Sequence, residues 1–246
     1  MTETEASTHL LNYADKKERG MNSRQYRTKN PAVNGSNFNS AGGVIQFEIQ
    51  GNTLNTFCDF QNSYVIMEVE NKTLATFVVD NRNGIQNLVA KVECLTAGQT
   101  LFSIDRYNVL SSMLMSSDTN SNFEQNTGKV LFGCSDSIGI DGKKTYCVPL
   151  MLNGLYNSSK YIPLFSRDKM TIRITLESAL TAVVGAGTLP TGIVVNRPEL
   201  VLHNIELSPD AFSAVYDSVD GVFDIVPGSR EHSAVLEASW HALHAT

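Results

Sequence analysis

No two of the four cysteines, Cys58, Cys94, Cys134 and Cys147, form a C-x-x-C pair. Zinc sites are built from close pairs, so these long, irregular spacings argue against a metal centre. The expectation is four reduced thiols in an intracellular product, with Cys94 on the inward face of a strand as a small hydrophobe. Long apolar runs are also missing, and none approaches the length of a membrane span. The opening stretch MTETEASTHLLNYADKKERG lacks an apolar core of signal-peptide length, so export by that route is not expected. The three glycosylation-type triplets, at Asn34, Asn71 and Asn157, then read as coincidences in an Asn-rich chain. Charge is scarce at 18% of residues, and acids outnumber bases 25 to 19. The resulting net charge of −6 excludes a protein that grips nucleic acid through its whole surface.

Catalytic patterns are absent too. Of five histidines, His9 lies in the N-terminal stretch and His241 and His244 in the last six residues, leaving only His203 and His232 for an ordered fold. No G-x-S-x-G nucleophile elbow occurs; Gly133-Cys-Ser-Asp-Ser137 lacks the second glycine. GAGTLP at 185–190 places Pro190 where a dinucleotide-binding loop needs its third glycine. Asp136 and Asp141 flank Ser-Ile-Gly-Ile with no glutamate at calcium-loop spacing. No enzyme, cofactor or metal is expected.

What the chain does have is alternation. VIQFEIQ at 44–50 sets Ile45, Phe47 and Ile49 against Gln46, Glu48 and Gln50, the period-2 pattern of a half-buried strand. MTIRITLE at 170–177 does the same with Met170, Ile172, Ile174 and Leu176. SYVIMEVE (63–70), TLATFVV (73–79), LVAKVECL (88–95), KVLFG (129–133), KTYCVPLML (144–152), YIPLF (161–165) and PELVLHNIEL (198–207) also read as strands, with short ones at 221–226 and 233–237. Turn residues recur between them, as in a sandwich or barrel. One break, SIDRYNVLSSMLMS at 103–116, reads as a helix packed on the core, with Ser103 as N-cap and Asp105 in the first turn. Ser208-Pro-Asp210 opens a second helix that buries Phe212, Val215 and Tyr216.

Residues 1–42 read as a flexible arm ending in the loop formers NPAVNGSNFNSAGG. Between Lys16 and Lys29, the six bases Lys16, Lys17, Arg19, Arg24, Arg27 and Lys29 stand against one acid, Glu18, and make candidate contacts to phosphates of nucleic acid or lipid. A solvated tail is the competing reading.

The order of elements resembles a known family. The arm leads to VIQFEIQ and then to TFCDFQNSYVIMEVEN (56–71). GIQNLVAKVECLTAGQTLFSIDRYNVLSSMLM (84–115) is a strand, turn and helix carrying Tyr-Asn, and VPLMLNGLYNSSKYIPLFSRDKMTIRITLESA (148–179) ends in the alternating strand. Over about residues 43–180 this is similar to the first jelly roll of double jelly-roll major capsid proteins of tailless icosahedral DNA viruses. The resemblance implies a mainly β fold of jelly-roll sandwiches with short helices inserted. It divides the chain into an arm (1–42), a first roll (43–180), a linker (181–197) and the start of an incomplete second roll (198–246). It implies a structural subunit of the virion that assembles as a homotrimer into pseudo-hexagonal capsomers. Its partners would be neighbouring capsomers and minor or vertex capsid proteins, and its arm would face packaged nucleic acid or an internal membrane. The alternatives are a single-roll vertex or minor capsid protein, or a carbohydrate-binding module, for which Trp240 is the only tryptophan.

Overall fold

The computed structural model describes residues 22–40, 42–51, 55–74, 76–96, 98–118, 120–149, 161–164, 169–177 and 192–218. The strands are β1 (Ser23–Pro31), β2 (Asn37–Asn39), β3 (Val44–Ile49), β4 (Thr56–Asn71), β5 (Phe77–Val78), β6 (Val89–Thr96), β7 (Gln99–Asp105), β8 (Ser137–Ile138), β9 (Lys143–Val148), β10 (Ile162–Pro163), β11 (Met170–Leu176) and β12 (Ile193–Leu207). The helices are α1 (Tyr107–Asp118), α2 (Ser121–Phe123), α3 (Lys129–Leu131) and α4 (Pro209–Ser218), with a 3-10 turn at Gly84–Leu88 and a π turn at Glu124–Gly128.

Every strand pair is antiparallel. A four-stranded sheet runs β3-β11-β6-β7. A six-stranded sheet runs β1-β12-β4-β10, with β2 beside β1 on β12 and β9 beside β10 on β4. The alternation in β3 and β11 places Ile45, Phe47, Ile49, Met170, Ile172, Ile174 and Leu176 in the core, where they join Val65, Met67, Val69, Leu200 and Leu202 of the other sheet. Two sheets sharing one apolar interior make a sandwich. Cys94 lies in that interior as expected, and all four cysteines are free thiols.

The differences from the sequence reading have physical causes. The strand expected at 88–95 starts at Val89, and a register shift opposite Thr175/Leu176 turns Val89 rather than Ala90 inward. Ser103 and Asp105 belong to β7, where they pair with Glu93 and Lys91; the helix starts only at Tyr107, after Arg106 turns the chain at φ 55°. They therefore neither cap nor charge α1. KVLFG is helical at Lys129–Leu131, not a strand. Phe132 and Cys134 donate their N–H groups back to the Gly128 carbonyl, and left-handed Gly133 ends the helix. Of TLATFVV only Phe77–Val78 pairs, with β8. The helix at 208 is present: Ser208 Oγ accepts from Ala211 N–H at 3.3 Å, with Pro209 in the first helical position, but Tyr216, expected on its buried side, is exposed.

The largest correction concerns the arm. Ser23–Pro31 is a nine-residue strand paired along its whole length with Glu199–Leu207. Its polar alternation is a weak strand signal, but β12 offers an edge whose backbone groups need partners. β12 itself begins at Ile193, inside the segment read as linker, and pairs with β4 of the segment read as first roll. The strands expected at 221–226 and 233–237 lie outside the described residues.

Candidate assembly surface

Lys16, Lys17 and Arg19 lie outside the described residues. Arg24, Arg27 and Lys29 all lie on β1, but the strand does not gather them. Thr28 and Asn30 stand opposite Leu202 and Leu200 on the core-side face, so Arg24 shares that side while Arg27 and Lys29 point outward. Arg24 sits over the Tyr26 ring, 5.7 Å from its centroid, and Arg27 over Tyr64 at 5.8 Å. Lys29 Nζ is 3.0 Å from Glu199 Oε2. Basic side chains on an edge strand also discourage open-ended strand pairing, a role needing no ligand.

The six-stranded sheet carries more polar structure than its sequence advertises. Between the pairs Val201–Tyr64 and His203–Asp59 the register shifts, leaving a bulge in β4. Asp59 Oδ1 accepts from Gln61 N–H at 3.1 Å, and Oδ2 from Asn62 Nδ2 at 2.7 Å. Ser63 Oγ donates to the Asp59 carbonyl at 2.7 Å and accepts from His203 N–H at 3.1 Å. His203 Nδ1 stands 3.7 Å from Asp59 Oδ2. The thiol of Cys58 beside this bulge is pushed up to about 12 by burial.

At the other end of β4, Asn196 Nδ2 donates to Glu70 Oε2 at 2.7 Å, and Lys72 Nζ is 2.6 Å from Glu70 Oε1. The Lys72 ammonium and the Asn196 amide hold the Glu70 carboxyl down to about 2. Asn71 is fully buried: its Nδ2 donates to the carbonyls of Ile138 and Gly139, and its Oδ1 accepts from Thr73 N–H and Oγ1. The triplet that looked like a glycosylation pattern is an Asx turn with its amide already engaged. Asp136 pairs with Lys144 and Tyr146, and Asp141 with Lys72, so the two aspartates serve separate contacts. Among the described residues no group of three or more His, Cys, Asp or Glu side chains could hold a metal, and no helix is long and apolar enough to cross a membrane.

This two-sheet antiparallel sandwich matches, over most of its length, the double jelly-roll fold of viral major capsid proteins. It is similar to the PBCV-1 virus capsid structure, with a TM-score of 0.53 at 14% identity, covering 82% of this chain and 46% of that one. It is equally similar to the Faustovirus major capsid protein, with a TM-score of 0.53 at 12% identity over 86% of this chain and 59% of that chain. A structure of the Sputnik virophage matches with a TM-score of 0.50 at 9% identity, over 85% and 54%. The chain thus spans about half the length of the capsid proteins it matches. No family model and no curated protein matches the sequence.

Proposed function

We propose that this protein is a structural capsid subunit that associates with copies of itself to build an icosahedral shell, its unit being a trimeric, pseudo-hexagonal capsomer. The observation that supports this most is the jelly-roll sandwich, similar to capsid proteins over more than four-fifths of the chain. Its residues go into two packed sheets and the side-chain stitching that holds them, which suits a scaffold. Neighbouring capsomers, with minor or vertex capsid proteins, are its partners, and the virion its location. Residues 1–21, with Lys16, Lys17 and Arg19, face inward toward packaged nucleic acid or an internal membrane; Arg24, Arg27 and Lys29 prolong that charge along the sheet edge.

The test is the mass of the purified chain by light scattering, with negative-stain images of the same peak. Trimers or shell-like particles support the reading, and a stable monomer at all concentrations overturns it. For the arm the informative deletion stops at residue 21. Removing residues 1–21 should reduce nucleic-acid or vesicle retention while leaving the sheet folded. Removal through Pro31 takes away β1 and uncovers β12. Unchanged retention after the shorter deletion would remove the arm from the proposal.

A further inference from the structure

Three of the large apolar side chains that the described residues leave in solvent belong to one small corner. Leu74 is 93% exposed, Ile140 56% and Val78 42%. The corner consists of the chain leaving β4, the short β5–β8 pair, and the turn joining β8 to β9. It is unusually well fixed for an exposed loop pair. Asn71 N–H donates to the Gly142 carbonyl at 3.0 Å, and Asp141 N–H to the Asn71 carbonyl at 2.8 Å. The Asn71 side chain adds its bonds to Ile138 and Gly139. Gly142 N–H donates to the Gly139 carbonyl at 3.0 Å, closing a turn with Ile140 at its tip and left-handed Asp141 after it. Lys72 N–H donates to the Gly192 carbonyl at 2.6 Å, anchoring the base of the first loop.

A backbone already tied down at its base has less freedom left to lose on binding, which favours a binding hot spot. Leu74 stands almost wholly in solvent, where a loop with no partner would gain solubility from a polar residue. The charges around the tip say what it fits. Lys72 and Lys143 stand against Glu68, the buried Glu70 and Asp141, with Lys72 3.8 Å from Asp141 and Lys143 3.9 Å from Glu68. A strongly charged partner calls for a rim of the opposite sign, whereas a rim carrying both signs suits a surface of the same composition.

We infer that the tip carrying Leu74 and Ile140 is a contact through which one copy of this chain binds another. This rests on the self-assembly proposed above and adds the residues that do it.

The test compares the full chain with Leu74→Asp, Ile140→Asp and a control, Met113→Asp, on the exposed face of α1 (Met113 is 67% exposed). Sedimentation across a concentration series reads association, and thermal unfolding followed by circular dichroism reads the fold. Leu74→Asp and Ile140→Asp should each raise the concentration for half-association by about tenfold or more, with unfolding temperature unchanged and the control like the parent. If the two variants associate like the parent, the tip is not an interface, while the capsid reading stands. If either variant lowers the unfolding temperature of the isolated subunit, the tip is covered by its own chain and the inference fails. If the parent stays monomeric throughout, the tip and the capsid reading fall together.

Discussion

β11 and β12 hold the same position in their respective sheets, each an inner strand paired on both sides, yet they are built differently. β11 alternates buried and half-buried residues without exception over its seven positions, and its ladder slips once, at its end. β12 runs fifteen residues, shifts register twice against β4, and buries Asn196 and Asn204. Arg197 at φ 42° and Pro198 sit in the first shift, where a proline's missing N–H costs nothing. The regular sheet is held by apolar contact with one face, which many side chains could supply. The bulged sheet depends on particular hydrogen bonds, such as Thr28 Oγ1 accepting from Asn204 Nδ2 at 2.9 Å, and each has a specific partner to lose.

Four experiments would break or sharpen that contrast. Phe47, fully buried in β3 opposite Ile172, tests the regular sheet. Phe47→Ala should destabilise by about 3–5 kcal/mol in denaturant unfolding, while Phe47→Leu recovers most of that loss. Ser63→Ala tests the bulge: it leaves His203 N–H without its side-chain acceptor and should cost about 1–3 kcal/mol, with no conservative apolar rescue. An equal response to apolar replacement at both sites would erase the distinction.

Acid should act on the bulged sheet through Glu70. Its folded carboxyl is held down to about 2 from an ordinary 4.5, so the stability it contributes is complete above 4.5 and disappears as pH falls toward 2. Glu70→Gln should flatten that part of the acid-unfolding curve, and a variant curve parallel to the parent's would refute the assignment. The smallest effect belongs to the edge. The Lys29–Glu199 pair is exposed, and Lys29→Ala should change stability by less than about 1 kcal/mol in the same denaturant assay.

The same contrast explains what could be read from sequence. β3 and β11 were legible because their only requirement, an apolar residue at every second position, is written in the residues themselves. The helix after Ser208 was legible because capping is local. β1 was not, since TyrArgThrLysAsn carries no apolar period and becomes a strand only because residues 199–207 present an edge to it. KVLFG has the composition of a strand, yet Lys129–Leu131 is helical and the segment packs Phe132 with Leu131 beside Met115 and Cys134. At Asn71 the sequence shows only a glycosylation-type triplet, because whether an Asn side chain closes a turn depends on the backbone around it. Leu74 lies inside TLATFVV, which reads as a strand, and Ile140 lies between two such segments; their exposure is decided by what packs nearby and not by hydrophobicity.

Thr28 and Asn204 meet across 176 residues of sequence. Of the described strands β1 is the first made, and β12, which receives it, the last. Contacts of such long range slow folding, and they cannot form early. Until residue 207 has left the ribosome, β4 has no β12 along one side and β1 has no partner at all. Basic side chains on a strand disfavour pairing with another chain during such an interval.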